Sequence, residues 1–228
     1  LSSTFNVSPR ITGIVLAILT ALVIFGGIKR IASFTEKLVP FMAIFYIVGA
    51  LIILVLNISQ IPAAFVLIFK QAFTPTAAVG GFAGSIVMQS MRYGIARGVF
   101  TNEAGLGSAP IAHAAAKTDH PVRQGLWGIF EVFADTIVVC SMTALTIIVT
   151  GAWQLTDASG KGLSGAALSA TAFDSTLPVI GGSIVSIGIV LFAFSTILGW
   201  AYYGEKCAEY LLGEGIATTI YRIVWIPA

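Results

Sequence analysis

Charged residues are scarce in this 228-residue chain. Asp, Glu, Lys and Arg make up 10% of it, against about a quarter of an ordinary soluble domain. Hydrophobic residues make up 57%, and the mean hydropathy is +0.95. This composition excludes a soluble globular domain and indicates a protein whose partner is the lipid bilayer. The net charge of +2 says little by itself, and we expect no nucleic-acid partner.

Cysteine and catalytic motifs are scarce too. Cys140 and Cys207 lie in or beside apolar stretches, so no disulfide framework is indicated. The sequence contains neither a His-Glu-x-x-His pattern nor paired membrane aspartates, and His113 has no second ligand at metal spacing. Gly105-Leu106-Gly107 lacks the third glycine, strand and acidic residue of a nucleotide fingerprint. We therefore expect no enzyme.

Long apolar runs fill most of the chain. At about 20 apolar residues per crossing, the sequence predicts an all-α transmembrane fold in a single membrane domain. The predicted spans are residues 11–28, 38–56, 80–97, 126–149, 185–212 and an incomplete 216–228. Shorter helices are predicted at 61–73 and 163–172 on the outer side and at 109–117 on the inner side. Because the chain starts at Leu1 and stops inside an apolar run, we interpret it as a fragment of a longer protein.

Positive residues recur at every second connection, which predicts an alternating topology with those connections inside. The first of them is a predicted short loop with Lys29, Arg30 and Lys37. Pro40 is then expected in the first turn of the second span, where the amide it removes has no helical partner. Asn102 and its neighbours are expected to form a capped turn of an inner gate.

Three glycines within six residues, Gly80, Gly81 and Gly84, stand at the start of the third predicted span. Each costs a helix interior about 1 kcal/mol relative to alanine, so the pattern predicts a broken helix there. Irregular backbone at membrane depth is tolerated where it lines a cavity or is buried, and transporters use such breaks to hold ions and small charged solutes. The alternative is that Gly80 with Gly84, and Gly94 with Gly98, are packing faces for neighbouring helices.

Three runs of the sequence carry a resemblance to a known family. They are GVFTNEAGLGSAPIAHAAAKT, GIKRIASFTEKLVPFMA and LFAFSTILGWAYYGEKCAEYLLG. Together they resemble the alanine or glycine:cation symporters, sodium-coupled amino-acid carriers of bacteria and archaea. The resemblance covers essentially the whole chain and implies a cell-membrane carrier with the leucine-transporter-like fold of two inverted five-helix repeats. It also implies that core helices four to eight and the start of nine are present, and that half of the transport site lies outside this chain.

The resemblance further implies site residues. The break from Gly80 to Ser85, which includes Ala83, places Phe82 against the substrate. The carbonyl of Phe192 and the hydroxyls of Ser195 and Thr196 match a sodium site at spacing i, i+3 and i+4, which puts three oxygens on one helix face. Trp200, one turn further on, is expected to wall the substrate pocket, and Thr196 is expected to contact the substrate as well as the ion. The alternative for Ser195 and Thr196 is hydrogen bonding to carbonyls of their own helix.

The resemblance makes sodium-coupled uptake of alanine or glycine the leading function, with the two outer helices acting as lids. A passive channel or an intramembrane enzyme is the alternative; a channel requires a continuous polar stripe, which the sequence lacks. Glu131 and Asp135 stand one turn apart in the fourth predicted span. They fit either a proton or cation relay or pairs with Arg92, Arg97 or polar groups of neighbouring helices, and we place them outside the substrate site. The sequence leaves the oligomeric state open.

Overall fold

The computed structural model describes residues 5–73, 83–157, 160–213 and 215–226. These residues are almost entirely helical, as predicted, and their regular β-structure is confined to one isolated bridge between Thr156 and Gly162. The helices are α1 (Pro9–Ile24), α2 (Gly27–Leu56), α3 (Ile61–Phe73), α4 (Ala83–Asn102), α5 (Ala109–His113), α6 (Pro121–Val149), α7 (Gly165–Thr176), α8 (Gly181–Leu212) and α9 (Ile216–Trp225).

The predicted loop after the first span is wrong. Helix α2 runs without interruption from Gly27 to Leu56 and includes the positive residues that were expected in the loop. The chain reverses instead at Phe25 and Gly26, where Arg30 Nη1 donates to the Leu22 carbonyl at 3.0 Å. This bond satisfies one of the carbonyls that a helix end leaves free. The connection between α1 and α2 is therefore much shorter than the predicted loop, and the Arg30 side chain caps the end of α1.

Pro40 consequently lies inside α2 and not in a first turn as expected. An interior proline removes one i→i−4 hydrogen bond and costs about 3 kcal/mol or more in helical free energy. The helix nevertheless continues for sixteen residues beyond Pro40. Its apolar packing against α8 and α6 accounts for that continuity, since tertiary contacts override local propensity.

Helix α6 changes its winding in the middle. Residues Pro121–Val132 and Ser141–Val149 are α-helical, while Phe133–Cys140 form a π-helix. A π segment of this length is rare, and such segments are frequent at functional sites. The sequence placed a uniform span at 126–149, so it missed both the earlier start and the π segment.

Other helices also differ from the sequence expectation at their ends. Helix α1 is Pro9–Ile24 and not 11–28, and α4 ends at Asn102 and not at 97. Helix α5 ends at His113 and not at 117, α7 is Gly165–Thr176 and not 163–172, and α8 begins at Gly181 and not at 185. The early start of α8 follows from a tight turn after α7, in which Gly182 donates its amide to the Asp174 carboxylate at 2.6 Å. A side chain at Gly181 would collide with the Phe173 backbone.

Helix α8 is the centre of the structure, because it contacts α1, α2, α5, α7 and α9. Two apolar clusters hold it there. Cluster one joins α1, α2 and α8 through Val23, Ile24, Ile31, Phe194, Leu198, Ala201 and Tyr202. Cluster two joins α2, α7 and α8 through Tyr46, Ala50, Ile53, Phe173 and Val185.

The outward faces of the helices are apolar. Ile14, Ile18 and Leu22 of α1 are each more than half exposed, and large exposed apolar surfaces mark contact with a membrane or with other protein. Within the described residues, three helical stretches are long and apolar enough to cross a bilayer by length and composition, namely Lys29–Leu56, Pro121–Val149 and Gly181–Leu212. Crossings at residues 11–28 and 80–97 stay predictions, since α1 is shorter and residues 74–82 lie outside the described part.

One buried ion pair joins α8 to α9. The Glu205 carboxylate accepts two hydrogen bonds from the Arg222 guanidinium, both at 2.7 Å. The side chain of Glu205 is 9% exposed and that of Arg222 is 25% exposed. Bidentate pairs of this kind fix orientation as well as distance. The pair therefore holds the end of α8 and the following helix in one arrangement.

We predict that Glu205→Gln destabilises the full-length protein by about 2 kcal/mol or more. Removing one partner leaves the other charge partly buried and unpaired. Because Arg222 is partly exposed, we expect a smaller loss of unfolding free energy than for a fully buried pair. Glu209→Gln is the matched control, because Glu209 pairs with Lys206 at 2.6 Å in a more exposed setting and such pairs contribute less than about 1 kcal/mol. Thermal unfolding in detergent measures the stability of both variants. Equal unfolding midpoints for the two variants would contradict a structural role of the Glu205–Arg222 pair.

Candidate functional site

Three oxygen atoms meet on one side of α8. Ser195 Oγ lies 2.8 Å from the Phe192 carbonyl oxygen, and Thr196 Oγ1 lies 2.9 Å from the same atom. The spacing i, i+3 and i+4 places them together because helical residues three and four apart are neighbours. The structure thus brings together the three residues that the sequence grouped.

In this arrangement both hydroxyls donate to the Phe192 carbonyl, which is the alternative recognised from the sequence. The two interpretations are compatible. A hydroxyl keeps two acceptor lone pairs, so each hydroxyl can point its hydrogen away from a cation and still offer its oxygen as a ligand. Oxygen ligands suit hard cations, and the donor set fits such an ion. Three oxygens are fewer than the six or more that hard cations such as calcium take, so further ligands are needed.

The aromatic ring of Phe192 packs against cluster two. It meets the ring of Tyr46 edge-on at 6.0 Å between centroids, and Tyr46 also contacts Phe173 at 5.5 Å. The Tyr46 hydroxyl lies 2.7 Å from Thr143 Oγ1, which itself donates to the Val139 carbonyl at 2.8 Å. Tyr46 therefore donates to Thr143. This chain of contacts fixes the helix turn that carries the Phe192 carbonyl.

Of the three residues, Thr196 lies on the side of α8 that faces away from cluster one, whereas Ser195 is half-buried and the Phe192 ring packs against cluster two. Phe194 and Leu198 are buried in cluster one, whereas Thr196 and Trp200 are exposed. Thr196 and Trp200 share a face because they are four residues apart. Trp200 is 40% exposed and meets Tyr203 at 6.0 Å between ring centroids. The predicted pocket residues of α8 are thus brought together, with one side open.

The predicted glycine break lies at the edge of the described residues. Gly80, Gly81 and Phe82 are outside them. The backbone of Ala83, Gly84 and Ser85 forms the first turn of α4. The break was predicted over Gly80 to Ser85, and its second half is wrong, because these three residues are helical. For residues 80–82 the break stays a prediction. In helix α4, a Cβ at Gly94 or Gly98 would meet nothing within 4 Å among the described residues, so a packing role for these two glycines stays a prediction.

The turn after α4 is present and is stabilised by side chains. Asn102 Oδ1 accepts from the Ala104 amide at 2.9 Å, and Asn102 Nδ2 donates to Thr136 Oγ1 at 2.9 Å. Glu103 has a positive φ of 56°, and its carboxylate accepts from Ser108 Oγ at 2.6 Å. Asn102 therefore ties the end of α4 to the π segment of α6, a link that the sequence did not predict.

The two acidic residues of α6 have different surroundings. Glu131 Oε2 lies 3.3 Å from His113 Nε2, so its described partner is a histidine and not Arg92 or Arg97. Asp135 lies in the π segment, and Thr136 Oγ1 donates to it at 3.4 Å. The described residues contain no group of three or more His, Cys, Asp or Glu side chains that would hold a metal. Neither acid is within the oxygen cluster of α8.

Comparison with known families decides the identity. The sodium:alanine symporter family matches the chain over residues 1–228. The chain belongs to that family. Its members are transporters and not enzymes, so the expectation of no catalytic activity is confirmed and the resemblance seen in the three sequence runs is correct.

Individual family members agree with this assignment. A sodium/alanine symporter, AgcS, of Methanococcus maripaludis is 53% identical over 99% of this chain and 48% of its own length. A probable sodium/glutamine symporter, GlnT, of Bacillus subtilis is 39% identical over 96% of the chain and 44% of its length. A sodium/proton-dependent alanine carrier of Bacillus sp. PS3 is 36% identical over 100% and 53%. The chain spans about half the length of the curated relatives it matches.

We predict that Thr196→Val in the full-length protein lowers the apparent affinity of transport for sodium by about tenfold to hundredfold. Valine keeps the shape but removes an oxygen, and a polar contact to a charge contributes ~1.5–3 kcal/mol. Thr35→Val is the control, because Thr35 Oγ1 makes the same bond to the carbonyl four residues earlier, at 2.9 Å, on α2. Sodium titration of uptake measures both. A sodium dependence that is unchanged in Thr196→Val, or equally changed in both variants, would remove Thr196 from the ion site.

Proposed function

We propose that the protein containing this chain couples sodium entry to the uptake of a small neutral amino acid, alanine or glycine. The observation that carries the proposal is the cluster of three oxygens on α8, in a chain of the sodium:alanine symporter family. Sodium is a transported substrate in this scheme. A passive channel remains the alternative, and nothing in the described structure favours it.

The sodium site of the proposal is formed in part by the Phe192 carbonyl, Ser195 Oγ and Thr196 Oγ1. Before the ion arrives, the two hydroxyls are satisfied by the carbonyl, so the helix carries no orphaned polar group at membrane depth. When the ion binds, attraction to the charge replaces these two bonds. This exchange keeps the cost of the free state low, because unpaired polar groups in lipid cost several kcal/mol each.

The amino acid of the proposal binds beside Trp200, against the segment from Gly80 to Ser85. A zwitterion must exchange its hydration for fixed partners, and a continuous helix has already used its backbone groups internally. A break frees amides and carbonyls near the midplane. Phe82 and Trp200 then limit the size of the side chain. The relative named as a probable sodium/glutamine symporter supports the idea that the residues of this pocket wall differ between family members.

The surrounding architecture of the proposal is the leucine-transporter-like inverted repeat in a bacterial or archaeal cell membrane. In this scheme α1, α2, α4, α6 and α8 are core helices four to eight, and α9 begins the ninth. The exposed apolar faces support a bilayer around them. Helices α3 and α7 act as outer lids, and alternating access exposes the site to each side of the membrane in turn.

Uptake of labelled alanine by proteoliposomes that contain the full-length protein tests the proposal. We expect accumulation when an inward sodium gradient is present and little uptake when potassium replaces sodium on both sides. Glycine should compete with alanine. Uptake that equilibrates without a gradient and does not accumulate would indicate a passive channel and contradict the proposal.

Trp200→Leu should widen the pocket. We expect larger amino acids such as glutamine to become competitors of alanine uptake, and alanine affinity to fall by about tenfold because the removed ring leaves a void. Tyr203→Leu is the matched control for loss of the contact between the two rings. If the substrate range of Trp200→Leu stays restricted to alanine and glycine, Trp200 lies outside the pocket.

Gly81→Ala tests the predicted break. We expect substrate affinity to fall at least tenfold while expression and thermal stability stay near those of the parent, because glycine tolerates dihedral angles that alanine avoids. Gly94→Ala in helix α4 is the control. A Cβ there meets open space among the described residues, so this change should be neutral or should stabilise the helix by about 1 kcal/mol. Normal transport in Gly81→Ala would contradict an unwound segment.

A further inference from the structure

The ring of Tyr46 packs on the part of α8 that leads to the oxygen cluster. Tyr46 lies on α2 and is 8% exposed, and its ring meets the Phe192 ring edge-on at 6.0 Å between centroids. A Cβ at Gly188, four residues before Phe192, would lie 3.6 Å from Tyr46 Cδ2. Residues four apart share a helix face. The tyrosine ring therefore covers two successive turns of one face of α8, and the second of these turns carries the Phe192 carbonyl.

The hydroxyl of Tyr46 is held by α6. Its oxygen lies 2.7 Å from Thr143 Oγ1. Since Thr143 uses its own hydrogen to donate to the Val139 carbonyl at 2.8 Å, the tyrosine is the donor. Val139 belongs to the π segment of α6. A buried hydroxyl without a partner costs free energy, so the bond to Thr143 fixes the polar end of the ring at one position on α6.

Helix α7 encloses the ring further. The Phe173 ring lies 5.5 Å from the Tyr46 ring between centroids, and Phe173 is fully buried in cluster two. Close-packed interiors leave a side chain few alternative positions. With its hydroxyl bonded to α6 and its ring packed against α7 and α8, Tyr46 is fixed in both position and orientation.

The rotation of α8 about its own axis decides where its ligand oxygens point. Because a helix backbone is a continuous hydrogen-bonded unit, a contact that fixes one face fixes the others as well. The face with Gly188 and Phe192 is fixed by Tyr46, and the Thr196 hydroxyl belongs to the adjoining exposed side. Ion sites depend on the groups that orient their ligands, and the loss of such a group lowers ion affinity.

We propose that Tyr46 is a positioning residue of the sodium site, and that its hydrogen bond to Thr143 raises the affinity of that site for sodium. This role rests on the proposed function, because the ion is placed at the Phe192 carbonyl, Ser195 Oγ and Thr196 Oγ1. Tyr46 is not a ligand of the ion and acts through the turn that carries Phe192. The bond thereby connects the helix with the π segment to the ion site.

Tyr46→Phe in the full-length protein tests the proposal. Phenylalanine keeps the ring contacts with α7 and α8 and removes the hydroxyl. In sodium titrations of alanine uptake by proteoliposomes, we expect the half-saturating sodium concentration to rise about twofold to tenfold. The maximal rate at saturating sodium should stay near that of the parent, because the ion then compensates for the weaker site.

Variants of Thr143 test the bond itself. Thr143→Val removes the acceptor and should raise the half-saturating sodium concentration by a similar factor. The double variant Tyr46→Phe with Thr143→Val should add little to either single change, because both remove the same bond. Thr143→Ser keeps the hydroxyl and should restore the parental value.

Thr150→Val is the matched control. Thr150 lies on the same helix, and its hydroxyl donates to the Thr146 carbonyl at 2.8 Å, as Thr143 does to Val139. This variant should keep the parental sodium dependence. An unchanged half-saturating sodium concentration in Tyr46→Phe would overturn the proposal, even if the maximal rate or the unfolding temperature fell. So would additive effects in the double variant, or an equal rise in Thr150→Val.

Thr196→Val, measured in the same titration, separates this role from the proposed ion site. If Thr196→Val weakens sodium dependence and Tyr46→Phe does not, the ion site stands and the role of Tyr46 is wrong. If neither variant changes sodium dependence, the ion lies elsewhere and both proposals are wrong. A rise in Tyr46→Phe without one in Thr196→Val would also overturn the role of Tyr46 at this site.

Discussion

A polar group at membrane depth must find its partner within the protein, and this constraint governs the structure. Each unsatisfied group in lipid costs several kcal/mol, so polar groups are stable there when a partner within the protein satisfies them. Among the buried side-chain atoms of the described residues, Thr146 Oγ1 is the exception without a hydrogen bond. Arg30 caps the end of α1, and the Glu205 carboxylate accepts two hydrogen bonds from the Arg222 guanidinium. The hydroxyls of Ser195 and Thr196 both donate to the Phe192 carbonyl. The same rule explains why the chain remains helical through its predicted first loop.

Helix α8 has one face packed in the core and one exposed face. One face carries Phe194 and Leu198 into the apolar core and fixes the helix against α1 and α2. The opposite side presents Thr196 and Trp200 away from that core. Since the first face is packed against two helices, the Thr196 hydroxyl on the second face is held in place by α8 itself, without help from loops. In the proposed transport cycle, the core face gives stability and the open face gives selectivity.

Sequence reasoning succeeded where the signal is local. Apolar length predicted most helices, Ile61–Phe73 to the residue, and the i, i+3, i+4 spacing predicted that three oxygens would meet. It failed where distant contacts decide. The continuation of α2 through Pro40 depends on packing against α8 and α6, and the π segment of α6 has no periodic signature. The partners of Tyr46 and Asn102, namely Thr143 and Thr136, lie far away in the sequence and were not predictable from spacing.

The most direct test of the ion site is a crystal structure of the full-length protein with thallium in place of sodium, since a heavy monovalent cation is located by its anomalous scattering. The account predicts an anomalous peak within coordination distance of the Phe192 carbonyl, Ser195 Oγ and Thr196 Oγ1. A peak that lies elsewhere while these three oxygens keep their mutual hydrogen bonds would contradict it.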